Sequence, residues 1–380
     1  MNVRQNHNHW MKRALALARR GEGLTRPNPP VGAVIVRAGK LLGQGWHHRA
    51  GAEHAEILAI HAAGARARNA TLYVTMEPCC TQGRTPPCTR AIIRSDIRRV
   101  VVAARDPNPR HNGRGLAILR KAGLKVTEDV GIDEARQLLA PFATWIRTRR
   151  PYLVLKLAAS FDGKIADEYG RSRWITAPAA RAQVQAWRRS ADAILVGAGT
   201  ALTDNPSLWP KPARGRRPWR VVVDTRGTLS PGARIMTDQY QAQTIIATTA
   251  ACPARRRAAW RAKGAQVWVL PRAQEGVALR TLMQKLGKLG CLQVLCEGGG
   301  KLAASLIRLR LVNEFRFFFA PCILGGRKAP SVVGGRGWPL KAAPKLVFTG
   351  CRRIGKDLLI SAKPERRNRK TSKRPTPNVQ

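Results

Sequence analysis

The stretch His54-Ala55-Glu56, followed by Glu77-Pro78-Cys79 and then by Gly83-Arg84-Thr85-Pro86-Pro87-Cys88, decides the fold of the first part of this chain. One histidine and two cysteines are zinc ligands, and a tetrahedral zinc held by three residues keeps its fourth position for water. Bound zinc lowers the pKa of that water toward neutrality. The spacing therefore predicts a catalytic zinc site formed by His54, Cys79 and Cys88.

Glu56 lies two residues beyond the histidine and completes a known pattern. In zinc-dependent nucleobase deaminases, a glutamate at this position moves protons and does not bind the metal. Their second motif is usually Pro-Cys-x-x-Cys, whereas here six further residues separate Cys79 from Cys88. Cys80 could replace Cys79 as a ligand, but Cys79 is the cysteine that follows Glu-Pro. We predict that Cys79 binds zinc and that Cys80 is a neighbouring thiol.

Length and composition limit the other function classes. A chain of 380 residues suggests two or three domains. It has no apolar run long enough to span a membrane, and its N-terminus lacks the apolar segment of a secretory signal, so we expect a cytoplasmic protein with no membrane partner. Eight cysteines, three of them near the metal motif, fit a reducing compartment.

The net charge of +46 invites a nucleic-acid interpretation, because 68 basic residues stand against 22 acidic ones. The excess is spread along the whole chain and is not gathered on one element. A compositional bias explains this distribution better than a specific nucleic-acid site, which we do not expect. Weak attraction of RNA or of a phosphorylated substrate remains the alternative.

Alternating helical and strand patterns predict two α/β domains. Residues 1–147 would form a zinc-dependent domain, residues 148–362 a second α/β domain, and residues 363–380 a basic disordered tail. In the first domain, a helix over 53–64 would carry His54 and Glu56 in its first turn. All seven histidines occur by His111, so chemistry in the second domain must rest on other side chains or on a cofactor.

Two glycine-bearing segments follow predicted buried strands in the second domain. Glu297-Gly298-Gly299-Gly300 precedes an amphipathic helix, and such a turn can hold an anion with backbone N–H groups. A second loop covers Val196–Thr200 and continues through Asp204-Asn205-Pro206. Neither is Gly-x-Gly-x-x-Gly, so a Rossmann dinucleotide fold is not predicted. Together the two segments favour a nucleotide-sized ligand.

These motifs resemble those of the bifunctional deaminase–reductases of riboflavin biosynthesis, from about His9 to about Ile360. The insertion Gly-Arg-Thr-Pro-Pro-Cys is the most specific match. Further matches are Pro27-Asn28-Pro29, Gly45-Trp46-His47, Asp106-Pro107-Asn108-Pro109, Lys156-Leu157-Ala158, Asp204-Asn205-Pro206 and Glu297-Gly298-Gly299.

The resemblance implies a cytidine-deaminase-like three-layer domain followed by a dihydrofolate-reductase-like α/β domain. It implies zinc-dependent deamination of a diaminopyrimidinone that carries a ribosylamino 5′-phosphate, and then reduction of the ribosyl group to ribityl by NADPH. The resemblance does not decide the oligomeric state, and a homo-oligomer is one alternative.

The resemblance also implies roles for individual residues. Glu56 would be the catalytic proton shuttle. The substrate-binding residues would be Asn28 in the first domain and Ser172, Arg188, Leu208, Lys211 and Glu297 in the second. NADPH would be held by Ala158, Trp174, Thr200, Asp204, Thr225, Gly299, Gly300, Lys301, Leu302, Ala303, Ala304 and Ser305.

Two departures from the family pattern bear on these roles. Cys80-Thr81 stands where the family usually has Ser-His, which affects a contact on the substrate side. Lys211 stands where the family usually has arginine, so a positive charge is kept but the bidentate fork is lost. Three rival hypotheses remain: an RNA-editing deaminase, a deaminase with a purely structural second domain, and a non-enzymatic zinc module.

Overall fold

The computed structural model describes residues 3–212 and 217–365. Backbone contacts divide the chain into two compact units. The first unit comprises Met1–Leu153 and Arg181–Gly298, and the second comprises Val154–Ala180 and Gly299–Gln380.

A five-stranded sheet with the order β2-β1-β3-β4-β5 organises the first part of the first unit. The β1–β2 and β1–β3 pairs are antiparallel, whereas β3, β4 and β5 run parallel. The strands are β1 (Gly32–Arg37), β2 (Lys40–Trp46), β3 (Thr71–Val74), β4 (Arg99–Val102) and β5 (Lys125–Thr127), and the helices are α1 (Val3–Arg19), α2 (Ala55–Ala63), α3 (Cys88–Arg94), α4 (Arg114–Lys121) and α5 (Ile132–Thr148).

Alternation along β1 separates two hydrophobic layers, because successive strand side chains point to opposite faces of a sheet. Ala33 and Ile35 belong to a buried cluster with residues of α2, α3 and α4. Val34 and Val36 belong to a second cluster with residues of α1 and α5. Helices therefore cover both faces of the sheet, and the predicted three-layer α/β arrangement is confirmed.

The remainder of the first unit contains five parallel strands in the order β10-β9-β8-β7-β13. They are β7 (Ala193–Gly197), β8 (Trp219–Val223), β9 (Thr244–Thr248), β10 (Gln266–Val269) and β13 (Gln293–Cys296). Their helices are α6 (Pro178–Ser190), α7 (Ala198–Asp204), α8 (Arg234–Thr237), α9 (Ala254–Ala262) and α10 (Leu279–Lys288), and a small hairpin joins β11 (Arg272–Ala273) to β12 (Gly276–Val277).

The second unit contains a mixed sheet with the order β6-β14-β16-β15. Its strands are β6 (Tyr152–Ser160), β14 (Glu314–Ala320), β15 (Leu346–Ile354) and β16 (Asp357–Pro364), and its principal helix is α11 (Gly300–Arg308). The β6–β14 pair is parallel, whereas β14 and β15 each run antiparallel to β16.

Three local expectations need correction. His54 precedes α2 as its N-cap and does not lie in the first helical turn. Residues 198–204 form the short helix α7 where we expected a loop, because Ala201 is buried against neighbouring strands. Lys363 and Pro364, expected at the start of a disordered tail, belong to β16, and the tail after Glu365 lies outside the described residues. Among residues 3–212 and 217–365, no helix is long and apolar enough to cross a membrane.

Candidate active sites

His54, Cys79 and Cys88 come together although they lie on three separate segments. His54 caps α2, Cys79 lies in the loop after β3, and Cys88 is the first residue of α3. One nitrogen of His54 and the two sulfurs all lie within 4.8 Å of one another. His54 Nδ1 is 3.2 Å from Cys88 Sγ and 3.5 Å from Cys79 Sγ. One imidazole nitrogen thus faces both sulfurs, as a tetrahedral metal site needs.

The pKa values of the two thiols shift in opposite directions, which matters because metal binding requires thiolates. The hydrogen bond with Cys88 lowers the pKa of Cys79 to about 4, and the hydrogen bond with His54 contributes. The interaction with Cys79 in turn raises the pKa of Cys88. The backbone N–H of Cys88 also donates to Cys79 Sγ over 3.3 Å. These contacts favour the thiolate form at Cys79, where a cation would bind.

Glu56 lies in the first turn of α2, next to this triad, and is only 3% exposed. Burial raises the pKa of its carboxyl to about 7, because a charged carboxylate loses its hydration there. A group with a pKa near neutrality can both accept and release a proton. Glu56 is therefore suited to general acid–base chemistry.

His54, Cys79 and Glu56 line a cavity of about 350 Å³, a size suited to a small molecule. Asn28 and His47 also line it. Asn28 Nδ2 lies 3.1 Å from His47 Nε2, and His47 Nδ1 lies 3.0 Å from the carbonyl oxygen of Glu53. His47 thus holds the side chain of Asn28 in place. Its ring also stands edge-on to that of His54 at 5.1 Å.

Glu77 also lines the cavity, and it holds the loop before α4 through contacts with backbone N–H groups. Its two carboxylate oxygens accept hydrogen bonds from the N–H groups of Gly113 and Gly115, each at 2.8 Å. The N–H of Asp106 donates to it at 3.1 Å and that of Leu116 at 3.4 Å. These groups bracket the loop that carries Asn108 and His111, both of which line the cavity. A carboxylate at the start of α4 also interacts favourably with the helix dipole.

Gly115 shows how closely this loop approaches the metal motif. A Cβ atom at Gly115 would lie 2.3 Å from the carbonyl oxygen of Pro78 and 3.2 Å from Glu77 Oε1. Only glycine fits there without a shift of the backbone.

Cys80 lies outside the triad. Its sulfur is 3.8 Å from His111 Nδ1, and Thr81 and His111 both line the cavity. The prediction that Cys80 neighbours the metal ligands agrees with this position.

A buried ion pair dominates the predicted reductase residues of the first unit. Arg188 Nε and Nη2 donate to Glu297 Oε1 and Oε2 at 2.6 and 2.8 Å. Their side chains are 15% and 8% exposed. Burial lowers the pKa of Arg188, but the charge and hydrogen bonds of Glu297 outweigh it and raise that pKa. Arg188 lies in the last turn of α6 and Glu297 follows β13. Two predicted substrate-binding residues therefore contact each other directly.

The segment with Leu208 and Lys211 is fixed by Arg220, a fully buried residue of β8. Arg220 Nη1 donates to the carbonyl oxygen of Ser207 at 3.0 Å, and both guanidinium ends bind Asp238. Leu208 is buried in the core next to this cation, whereas Lys211 is exposed.

Three further predicted cofactor residues lie in the first unit. Thr200 and Asp204 are on α7, and Thr225 follows β8 at the carboxyl end of a parallel strand. Ligands of open α/β sheets usually bind at that end.

The second unit holds the other predicted residues. Ala158 is on β6. Ser172 and Trp174 lie between β6 and α6, where Ser172 is half-buried and Trp174 is exposed. Gly299 has a φ of 69° and caps α11, which a residue with a side chain would do only under strain. In the first turns of α11, Lys301 is exposed, Ser305 is half-buried, and Gly300, Leu302, Ala303 and Ala304 are buried.

Two family models match the chain in agreement with this architecture. The RibD C-terminal domain matches residues 151–360, and the cytidine and deoxycytidylate deaminase zinc-binding region matches residues 4–104. The riboflavin biosynthesis protein RibD of Bacillus amyloliquefaciens is 41% identical over 359 residues, which cover 94% of this chain and 96% of the relative. The RibD protein of Escherichia coli strain K12 is 38% identical, with 93% and 98% covered.

The chain belongs to the RibD family of riboflavin biosynthesis proteins. Solved structures agree with this assignment. A RibD structure from Acinetobacter baumannii superposes with a TM-score of 0.84 at 33% identity and covers 96% of this chain and 100% of its own. The diaminohydroxyphosphoribosylaminopyrimidine deaminase/5-amino-6-(5-phosphoribosylamino)uracil reductase of Thermotoga maritima gives 0.83 at 34% identity, with 95% and 99% covered. As a RibD protein, this chain is a bifunctional deaminase and reductase that uses zinc and NADPH.

Sequence reasoning missed three cavity residues as site residues: His47, Glu77 and His111. His47 belongs to the matched Gly45-Trp46-His47 motif, and Glu77 precedes Pro78-Cys79, so both stood within quoted motifs. Their partners could not be read from those motifs, because Glu77 binds backbone N–H groups 29 to 39 positions away. His111 carried no signal of its own.

Proposed function

We propose that this RibD protein removes the amino group at C2 of 2,5-diamino-6-ribosylamino-4(3H)-pyrimidinone 5′-phosphate and then reduces the ribosyl group to ribityl. The observation that carries the proposal is the meeting of His54, Cys79 and Cys88 at a cavity that His54, Cys79 and buried Glu56 line. The substrate named for the Thermotoga maritima relative supports the choice of pyrimidine.

The donor set fits zinc. Two sulfurs and one imidazole nitrogen lie close together, and the hydrogen bond with Cys88 lowers the pKa of Cys79. His54, Cys79 and Cys88 would hold the ion and leave a fourth position. When bound, zinc acts as a Lewis acid and lowers the pKa of water toward neutrality. A structural site would instead close all four positions, which argues against a non-enzymatic zinc module.

Glu56 moves the protons of the deamination. As water adds to C2, the carboxylate takes one proton from that water and delivers it to a ring nitrogen. It then takes the second proton from the new hydroxyl group and gives it to the amino group, which leaves as ammonia when the C–N bond breaks. Asn28 holds the pyrimidine edge, since its amide is oriented by His47. The cavity accommodates a base-sized group, and its apolar wall includes Met76 and Phe142.

In the reductase, the residues of this chain bind and orient while the cofactor does the chemistry. NADPH, when bound, supplies the hydride that reduces C1 of the ribose. We assign Ala158, Trp174, Thr200, Asp204, Thr225 and the residues from Gly299 to Ser305 to its binding. Ser172, Arg188, Leu208, Lys211 and Glu297 are assigned to the substrate, with Arg188 and Lys211 as cations for its phosphate.

A mass measurement tests both steps on one preparation. The purified protein is incubated with the diaminopyrimidinone ribosyl phosphate, with and without NADPH. Without NADPH we expect replacement of one NH by O, and with NADPH we expect a further gain of two hydrogens. Deuteride from C4-labelled NADPH should appear at C1 of the ribityl chain. If the product never gains hydrogen, the reductase half of the proposal would be wrong and only the deaminase half would stand.

A chelator separates the two sites. Removal of zinc should abolish deamination and leave reduction of supplied deaminated substrate intact. Equal inhibition of both steps would contradict the assignment of zinc to the deaminase alone.

A further inference from the structure

The loop that carries Asn28 is tied to a residue of the following α/β segment. Arg26 Nη1 donates to the carbonyl oxygen of Asp192 over 3.2 Å and lies 3.5 Å from its carboxylate Oδ1. The two side chains are only 8% and 4% exposed. The partners are 166 positions apart and belong to the same compact unit. A buried charge that loses its partner is strongly unfavourable, so the two residues must move together.

Arg26 is built into the turn that presents Asn28. The N–H of Asn28 donates to the carbonyl oxygen of Thr25 at 2.9 Å, and the hydroxyl of Thr25 donates to the carbonyl oxygen of Asn28 at 2.9 Å. Thr25 is 2% exposed. Pro27, Asn28 and Pro29, the residues after Arg26, all line the deaminase cavity. A shift of the Arg26 side chain therefore moves that wall.

Asp192 is a firm anchor, because the backbone at the start of β13 holds it. Its Oδ2 accepts hydrogen bonds from the N–H groups of Leu292 at 2.8 Å and Gln293 at 3.0 Å. The loop that carries Asn28 also comes close to the end of α6. A Cβ atom at Gly23, where φ is 74°, would lie 2.8 Å from the carbonyl oxygen of Arg189.

We propose that Asp192, a residue of the reductase portion, positions the deaminase residue Asn28 through Arg26. The contacts run without a gap from Asp192 to Arg26, through the Thr25–Asn28 turn, to Asn28 and His47 beside the metal triad. Asp192 is thus a positioning residue for the deaminase. This inference rests on the proposed role of Asn28 in the deaminase.

The full-length Arg26→Met variant tests the link. Met keeps an unbranched side chain but removes the charge and the donors. We expect the deaminase KM to rise about tenfold with a smaller change in kcat, since misplacement of a binding group weakens substrate binding. Zinc content and reduction of supplied deaminated substrate should stay as in the wild type. Arg20→Met, at an exposed position near the end of α1, is the matched control.

Asp192→Asn gives the reciprocal test from the reductase side. Its amide oxygen can still accept the N–H groups of Leu292 and Gln293, whereas its uncharged side chain no longer attracts Arg26. We expect a smaller rise in the deaminase KM than in Arg26→Met, because Arg26 can still donate to the main-chain carbonyl of Asp192. The double variant should be no worse than Arg26→Met alone, because both changes act on one contact. Arg26→Lys, which keeps the charge, should recover part of the wild-type KM.

Three results would overturn the proposal: an unchanged deaminase KM in Arg26→Met, additive effects in the double variant, or parallel loss of both activities in every variant. The last would indicate a merely structural role. These outcomes are ratios to the wild type, so they are distinct from failure of the proposed function, in which the wild-type protein itself would not deaminate its substrate.

Discussion

The deaminase and reductase portions of this protein place their chemistry in different parts of the chain. The deaminase cavity gathers titratable side chains: three histidines, Cys79, Glu56 and Glu77 line one space of about 350 Å³. The reductase residues are glycine backbone, short helical turns and one buried ion pair between Arg188 and Glu297. All seven histidines belong to the first portion.

This difference follows from what each portion must supply. A hydrolytic site with a metal needs ligands and a proton carrier at fixed positions, so specific side chains are indispensable. A hydride transfer is chemistry of the cofactor, and the protein mainly has to bind and orient it. Single substitutions should therefore abolish the first activity but only weaken the second.

The largest effect is expected for Glu56→Gln. The amide keeps the shape of the side chain but cannot carry the proton, so the deaminase kcat should fall by about 10²–10⁴-fold. Zinc content should be unchanged, since Glu56 is not a ligand, and the reductase should be unaffected when deaminated substrate is supplied. Near-normal deamination by this variant would remove Glu56 from its proposed role.

The deaminase ligands could be predicted from the sequence because each lies in a short motif at a helix start or after a strand. The position of Glu56 beside the triad could be predicted for the same reason, since Glu56 lies two residues from His54. The link between Arg26 and Asp192 could not be predicted, because no local pattern relates positions 166 residues apart.

Parts of the fold escaped prediction for physical reasons. Strand β15 is exposed at all but its last residue, so it shows no alternation of apolar and polar side chains. Helix α7 contains Gly199 and follows Gly197, which indicated a loop, yet tertiary packing of Ala201 overrides that local preference. The reductase residues depended on resemblance, since glycine turns identify no particular ligand.

The second prediction concerns Arg188→Ala and the reductase. A charge-assisted contact to phosphate is typically worth about 1.5–3 kcal/mol, which corresponds to a rise in reductase KM of roughly 10- to 150-fold. The variant also leaves Glu297 buried without its partner, so the free energy of unfolding should fall by about 3–5 kcal/mol. Steady-state kinetics and denaturant unfolding measure the two effects.

Glu297→Gln separates these two consequences of losing Arg188. It removes the buried charge but keeps Arg188, so phosphate binding through Arg188 should persist better than in Arg188→Ala. The deaminase of the same chain reports whether the rest of the protein is intact. An unchanged reductase KM in Arg188→Ala would contradict the assignment of this residue to the substrate.

A smaller effect is expected for Glu77→Gln, which tests positioning within the deaminase. Gln offers one acceptor oxygen in place of two, so some of the four backbone N–H groups lose their partner, at a cost of about 1–3 kcal/mol each. The loop with Asn108 and His111 should then shift, and the deaminase KM should rise by about tenfold. Zinc content and the reductase should not change.

Glu128→Gln is the matched control for Glu77→Gln. Glu128 pairs with Arg105 and Arg120, whose side chains are about half exposed. Exposed ion pairs contribute little, about 0.2–1 kcal/mol, and neither Glu128 nor its two arginines line the cavity. If the two variants altered the deaminase equally, the special position of Glu77 would be refuted.

The smallest effect is expected for Cys80→Ser, and it is informative because Cys88→Ser should behave oppositely. Cys80 Sγ lies 3.8 Å from His111 Nδ1 and outside the triad, so its loss should change deaminase activity by no more than about twofold. Metal analysis should find about one zinc per chain in the wild type and in Cys80→Ser. Cys88→Ser should lose most of the metal, since serine is a poor replacement for a thiolate ligand. Equal zinc loss in both variants would show that Cys80 shares the metal, and the ligand set would have to be reassigned.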